Sequence, residues 1–363
     1  MTGKATATAG APSVLLPVQP PEPAPHELRA RLMARVEDRL HAFLRSERTG
    51  WTSVVPLTGE LIDAVEGLVG AGGKRLRPTF CISGYLAAGG DPADDTIVDV
   101  AAALELLQAF ALIHDDVLDD AELRRGAPTT HVRHAAAHRA GAWRGEDRRY
   151  GEGVAILAGD LAFAYADRLT TTLPPAARAV WAELAIEMIT GQYLDITVAA
   201  RSLLDPALAR YVAVCKSGHY SIHRPLVLGA TVAGRHDLAA AFAAYGVNLG
   251  EAFQLRDDLI DAFGTTEASG KPAGLDFDQQ KMTFLLAVAM ERDQRVRELV
   301  DAPVWDAARL RALLLEAGVR DELESHIARL VAEARRALDG APLPPAWRDD
   351  LGELAFQVAY RDR

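Results

Sequence analysis

From residue 27 onward, apolar positions recur three and four residues apart, the period of a helix that packs one face inward. That period predicts helices over 27–47, 58–70, 76–89, 93–121, 152–172, 175–200, 206–232, 237–263 and 277–293, with more to the C-terminus. Val, Ile, Thr and the aromatic residues rarely alternate with polar ones, so strands are not indicated. The pattern therefore predicts an all-α bundle of long helices. Residues 1–25 are rich in Ala, Thr and Pro and read as a disordered leader. The stretch 139–153, with Gly141, Gly145, Gly151 and Gly153 among Arg144, Arg148 and Arg149, reads as a loop. So does 264–275, with Gly264, Gly270, Pro272 and Gly274, and a loop there could close over a bound ligand.

Two of these helices break their own pattern in the same way. Asp115-Asp116-Val117-Leu118-Asp119 and Asp257-Asp258-Leu259-Ile260-Asp261 are both DDxxD inside apolar helical sequence. Positions i, i+1 and i+4 of a helix fall within about 100° of arc, so each copy presents three carboxylates on one face. A single acidic triplet is often a solvated face. Two of them in apolar surroundings are costly unless something binds them. Facing each other, they would hold hard divalent cations, and Mg²⁺ favours a few carboxylates together with phosphate oxygens and water. Because the two copies need each other, residues 26–363 read as one domain.

Composition narrows the reading further. The 363 residues are 49% hydrophobic and 25% charged, enough for a substantial core. A net charge of −11 argues against nucleic acid as a partner. Cys81 and Cys215 form no disulfide framework or metal spacing and read as buried thiols in a reducing compartment. No run of 18 apolar residues and no signal-peptide pattern is evident, so no transmembrane segment and a cytoplasmic location are expected.

The 39 basic residues include only five lysines, Lys4, Lys74, Lys216, Lys271 and Lys281, and four of these fall near the acidic motifs. A compact ammonium is a point charge suited to phosphate, whereas Arg offers a planar fork. Gly72-Gly73-Lys74-Arg75-Leu76-Arg77-Pro78 puts a glycine turn and three cations at a helix start, a ready anion site or simply a turn. Arg124-Arg125-Gly126 follows Asp119 closely, at a helix end. Gln108 lies two helical turns before Asp115 and shares its face, and Gln254 lies one turn before Asp258. His131, His134 and His138 are helically spaced and read as a solvated polar face more than as metal ligands.

These segments together resemble the trans-isoprenyl diphosphate synthases of the polyprenyl synthetase family, and within it the geranylgeranyl diphosphate synthases of bacteria. The resemblance is carried by GGKRLRP, LLQAFALIHDDVLDDAELRRGAPT, AILAGDLAF, the Lys216-Ser217 pair, and FQLRDDLIDAFG followed by GKPAGLDFDQQKMT. It implies an isoprenoid-synthase-type fold, with long helices around a central cavity, and a homodimer. It implies that Asp115, Asp116, Asp119, Asp257 and Asp261 hold Mg²⁺, three ions with substrate bound, with Mn²⁺ able to substitute. Arg124, Lys216 and Lys271 would contact the allylic diphosphate. Lys74, Arg77, Gln108 and Arg125 would cradle isopentenyl diphosphate, Gln254 would face the reacting carbons, and Asp258 would be one of the catalytic residues. Ser217 replaces a common Thr and keeps the hydroxyl. Gln280 stands where Gly often precedes Lys281, a second loop lysine near the substrate.

The implied reaction is condensation of isopentenyl diphosphate with an allylic diphosphate to an all-trans prenyl diphosphate. Phe110 and Ala111 occupy the fifth and fourth positions before Asp115, where the family sets product length; an aromatic followed by a small residue resembles a C20 enzyme. From periodicity alone Phe110 reads as a core aromatic. A farnesyl or longer-chain synthase, a class I terpene cyclase, a non-catalytic partner subunit and an HD-type metal phosphohydrolase on His114-Asp115 are the alternatives. The glycine-lysine segment argues against a cyclase, which has no second diphosphate to hold. The second DDxxD argues against the phosphohydrolase and the subunit.

Overall fold

The computed structural model describes residues 23–201, 203, 205–264, 277, 281–302 and 304–361. Helix α1 (Pro25–Thr52) opens on a proline at its first position, and Glu27 accepts from the Ala24 N–H. Helices α2 (Gly59–Gly70), α3 (Leu76–Ala87) and α4 (Asp95–Leu118) follow, and Asp94 caps α4 by accepting from the Thr96 N–H. Then come α5 (Thr130–Ala140), α6 (Asp147–Leu169) and α7 (Pro175–Ala200). Helix α8 (Pro206–Ala213) runs through a π-helical segment, Val214–His223, into α9 (Arg224–Val232). Helix α10 (Ala239–Phe263) carries the second acidic motif. The chain ends with α11 (Phe284–Arg292), α12 (Gln294–Val300), α13 (Ala307–Glu316), α14 (Val319–Ala337) and α15 (Pro345–Ala359).

The expected all-α architecture is therefore the observed one. Helix α4 is apolar on nearly every face because it is the central helix, packed on α1, α3 and α6. By length and composition it is the one described helix that could cross a membrane. Here 67% of its apolar stretch is buried inside the protein. Facing it, α6 buries Ala155, Ala158, Ala162 and Ala166, small residues that let the two axes approach. Cys81 and Cys215 are buried and free, as expected.

Three expectations need correction. Residues 139–153 are not one loop: α5 runs to Ala140, α6 starts at Asp147, and only 141–146 connects them. Gly151, read as a loop residue, is a packing residue, because a Cβ there would sit 2.2 Å from the His131 carbonyl oxygen. His131, His134 and His138 are buried, not solvated. His131 pairs with Thr129 Oγ1 at 3.2 Å, and His138 Nε2 lies 3.1 Å from the Arg144 carbonyl. Last, a two-residue antiparallel ribbon, β1 (Leu123–Arg124) with β2 (Ala127–Pro128), stands where no strand was indicated. Its turn residues Arg125 and Gly126 both have positive φ (54° and 77°), the geometry of a tight hairpin. The leader through residue 22 and most of the expected loop at 264–275, with Lys271, lie outside the described residues.

Candidate active site

Both acidic motifs end up bordering one polar cleft. Helix α4 stops at Leu118, so Asp119 is its C-terminal cap and not a helical residue, and Asp120 turns the chain at φ 50°. Asp116 is buried; Asp115 and Asp119 are partly exposed. On α10, Asp258 is buried while Asp257 and Asp261 are partly exposed.

Each outward carboxylate of the first motif faces a cation from a different segment. Arg124 Nε donates to Asp116 Oδ1 at 2.6 Å and its Nη2 lies 3.4 Å from Asp115 Oδ2. Burial pushes the Asp116 carboxyl up, against the pull of Arg124. Lys216 Nζ lies 2.7 Å from Asp195 and 3.6 Å from Asp115, and Gln192 Nε2 donates to Asp115 at 3.1 Å. Burial opposes the Lys216 charge, but Asp195, Asp115 and Asp119 outweigh it and raise its pKa. Lys281 Nζ reaches Asp119 at 3.0 Å. In the second motif, Arg361 pairs with Asp257 while its guanidinium lies 3.9 Å from the Phe253 ring centroid, and Gln254 Nε2 donates to Asp258 at 2.9 Å.

A cavity of about 130 Å³ is lined by Asp195, Lys216, Gln254, Asp258, Lys281 and Phe284. A neighbouring one of about 360 Å³ is lined by Asp119, Asp195, Lys281, Leu118 and Ile196 among others. Asp195 and Lys281 border both, so Asp258 of the second motif and Asp119 of the first line adjoining cavities that share these two charged residues. The donor set suits Mg²⁺: oxygen ligands only, at the rim of a cleft. Among the described residues no three acidic, His or Cys side chains close into a metal cage.

The second basic group assembles beside this cleft. Arg125 reaches from the hairpin to the Gly72 carbonyl, so the glycine turn and the Arg124-Arg125 segment, far apart in sequence, meet. Lys74 is exposed at that turn. Arg75 and Arg77, alike in sequence, part company. Arg75 adopts left-handed φ (47°) and pairs with Glu37 and the buried Glu105, so it is a structural ion pair and not a third anion ligand. Arg77 has no carboxylate within 4 Å among the described residues; its Nη2 donates to Ser221 Oγ at 2.9 Å. Gln108 accepts from the Tyr220 hydroxyl at 3.0 Å. The Ser217 side chain lies outside what the structure describes. Gln192, Asp195, Tyr220, Ser221 and Arg361 were not foreseen. Gln192 and Asp195 carried the one available signal, polar residues spaced one turn apart on α7.

The comparison with known proteins decides what this cleft belongs to. The model of the polyprenyl synthetase family matches residues 59–313. The chain belongs to the polyprenyl synthetase family. It is 36% identical over 252 residues to a short chain isoprenyl diphosphate synthase of Methanothermobacter thermautotrophicus, covering 66% of this chain and 70% of that one. It is 32% identical over 302 residues to a geranylfarnesyl diphosphate synthase of Aeropyrum pernix, covering 79% and 89%. Its fold matches the geranylgeranyl pyrophosphate synthase of Corynebacterium glutamicum complexed with isoprenyl diphosphate and magnesium (TM-score 0.82, 34% identity, 93% and 98% covered). A polyprenyl synthase of Caulobacter crescentus complexed with calcium and isoprenyl diphosphate matches at TM-score 0.75, 29% identity, 95% and 100% covered. The protein is thus a trans-prenyl diphosphate synthase, a prenyltransferase of isoprenoid biosynthesis. The cyclase and phosphohydrolase alternatives fall away. Relatives named for farnesyl, geranylfarnesyl, heptaprenyl and nonaprenyl products leave the chain length open within the family.

Proposed function

We propose that this synthase joins isopentenyl diphosphate to an allylic diphosphate and stops at C20, geranylgeranyl diphosphate. The observation that carries the reading is the shared cleft, where Asp195, Lys216 and Lys281 sit between the two acidic motifs. Asp115, Asp116, Asp119, Asp257 and Asp261 would hold Mg²⁺, three ions with substrate bound, and Mn²⁺ would substitute. Bound Mg²⁺ stabilises negative charge on the departing diphosphate. Lys216, Arg124 and Lys281 neutralise the allylic diphosphate, exchanging their present carboxylate partners for its oxygens, and Lys271 joins them. Lys74, Arg77, Gln108 and Arg125 hold the second diphosphate, with Arg77 suited because among the described residues it pairs with Ser221 and no carboxylate. The allylic C–O bond breaks with both electrons leaving on diphosphate. The double bond of isopentenyl diphosphate then attacks the allylic cation, and the proton it sheds passes to the released diphosphate. Gln254, fixed by Asp258, stands beside the reacting carbons, and Ser217 adjoins Lys216.

Product length rests on Phe110 and Ala111. Phe110 is half-buried, its ring 5.2 Å from Phe163 and 4.7 Å from His114, and the small Ala111 packs against the core next to it in sequence. We also propose a homodimer: Ile186, Ile189, Tyr193 and Ile196 of α7 recur along one face and are 60%, 48%, 61% and 43% exposed, and Ile156 and Leu157 of α6 are exposed as well. One domain over 26–363 is supported by the Arg29–Asp350 ion pair joining α1 to α15. A cytoplasmic location suits the two free thiols. The test is the purified protein with Mg²⁺, isopentenyl diphosphate and each allylic diphosphate in turn, with products identified by mass. A predominant C20 diphosphate is expected; a predominant C15 or C25 product would overturn the chain-length proposal.

A further inference from the structure

The two substrate sites are joined by one buried side chain that neither of them needs as a ligand. The π-helical segment carries Lys216 and, four and five residues later, Tyr220 and Ser221. Tyr220 is buried, and burial pushes its hydroxyl up to about 12, so it stays a donor at any working pH. The hydroxyl donates to Gln108 Oε1 at 3.0 Å. An amide whose oxygen is anchored turns its two N–H donors the other way. On the ring's face, the Arg77 guanidinium lies 4.1 Å from the centroid, and Arg77 Nη2 donates to Ser221. A π face attracts the cation but accepts no hydrogen bond in the guanidinium plane. Arg77 therefore keeps donors in reserve, including a buried Nε with no hydrogen-bond partner among the described residues.

We propose that Tyr220 is a positioning residue that aims Arg77 and Gln108 at the diphosphate of isopentenyl diphosphate and ties their placement to the helix holding Lys216. The inference rests on the proposed roles of Arg77 and Gln108. It makes Tyr220 act through these two side chains, without touching substrate itself.

The test separates the hydroxyl from the ring. Tyr220→Phe keeps the ring under Arg77 and removes the hydroxyl that anchors Gln108. It should raise KM for isopentenyl diphosphate about fivefold, the effect of one neutral hydrogen bond, with kcat and the allylic KM within twofold. Tyr220→Leu removes the ring as well and should raise the same KM further. In a Gln108→Ala background, Tyr220→Phe should add nothing, because the hydroxyl works through that amide. Calorimetric titration with isopentenyl diphosphate should show the same weakening without turnover. An unchanged KM, an additive effect on Gln108→Ala, or an equal rise in both KM values with a lower Tm would overturn the proposal. Arg77→Ala distinguishes the two failures. If it raises KM for isopentenyl diphosphate while Tyr220→Phe is silent, only the positioning role falls. If neither Arg77→Ala nor Gln108→Ala moves that KM, the assignment of the site itself falls.

Discussion

Lys281 Nζ lies 3.0 Å from Asp119 Oδ2, a contact between residues 162 positions apart in the chain. It places the segment that follows the second acidic motif directly on the first. The ammonium stands where charge from a metal and a diphosphate would meet the carboxylate. Lys281→Ala should lower kcat/KM for the allylic substrate tenfold to a hundredfold, the range of a charge-assisted contact of roughly 1.5–3 kcal/mol. Steady-state kinetics with the allylic diphosphate varied checks this, and wild-type values would remove Lys281 from the site.

The two basic groups should act on different substrates. Lys74→Ala and Arg77→Ala are expected to raise KM for isopentenyl diphosphate by roughly ten- to a hundredfold and to leave the allylic KM nearly unchanged. Lys216, between Asp115 and Asp195, should show the reverse. Equal effects of Lys74→Ala on both substrates would contradict the division.

Phe110→Ala should open the end of the hydrocarbon pocket and lengthen the product, while Ala111→Phe should shorten it toward C15. Mass analysis of the products decides between this and a packing role. If Phe110→Ala lowers stability by the roughly 3–5 kcal/mol of a core aromatic deletion and leaves the products unchanged, the residue is core and nothing more.

Stability should fall on mild acidification. His223 is held near a pKa of about 3 by burial first, then by His219 and Arg224. Unfolded, it titrates near about 6.5. Between these values the unfolded chain binds a proton that the folded chain does not, so each pH unit below about 6.5 removes up to about 1.4 kcal/mol. Glu187, held near 2 against burial by Arg224 and His219, adds a loss of the same sign between about 4.5 and 2. Tm measured from pH 7 to pH 5 should drop, and less so in His223→Gln; a flat profile in the wild type would contradict the assignment.

The helices were legible because burial of one face imposes a period that local sequence must carry. The acidic motifs were legible because charges in apolar helices conflict with that period. What failed depended on partners from elsewhere in the chain. Gly151 looked like a loop residue and is a contact for α5. His131, His134 and His138 looked solvated and are buried in the packed fold. Arg75 and Arg77 are indistinguishable in GGKRLRP, and only Glu37 and Glu105, from other helices, separate the structural cation from the available one. The π-helical register at Val214–His223 has no local signature and sets which side chains accompany Lys216.

The central claim is that both acidic motifs serve one metal-dependent cleft. Mg²⁺ titration and single-turnover rates for Asp115→Ala and Asp257→Ala test it most directly. Each variant should lose orders of magnitude in rate and bind Mg²⁺ more weakly in the presence of an allylic diphosphate, while circular dichroism shows the helical content unchanged. Near-normal turnover and metal binding in Asp257→Ala would show that the second motif does not hold metal and would contradict the account.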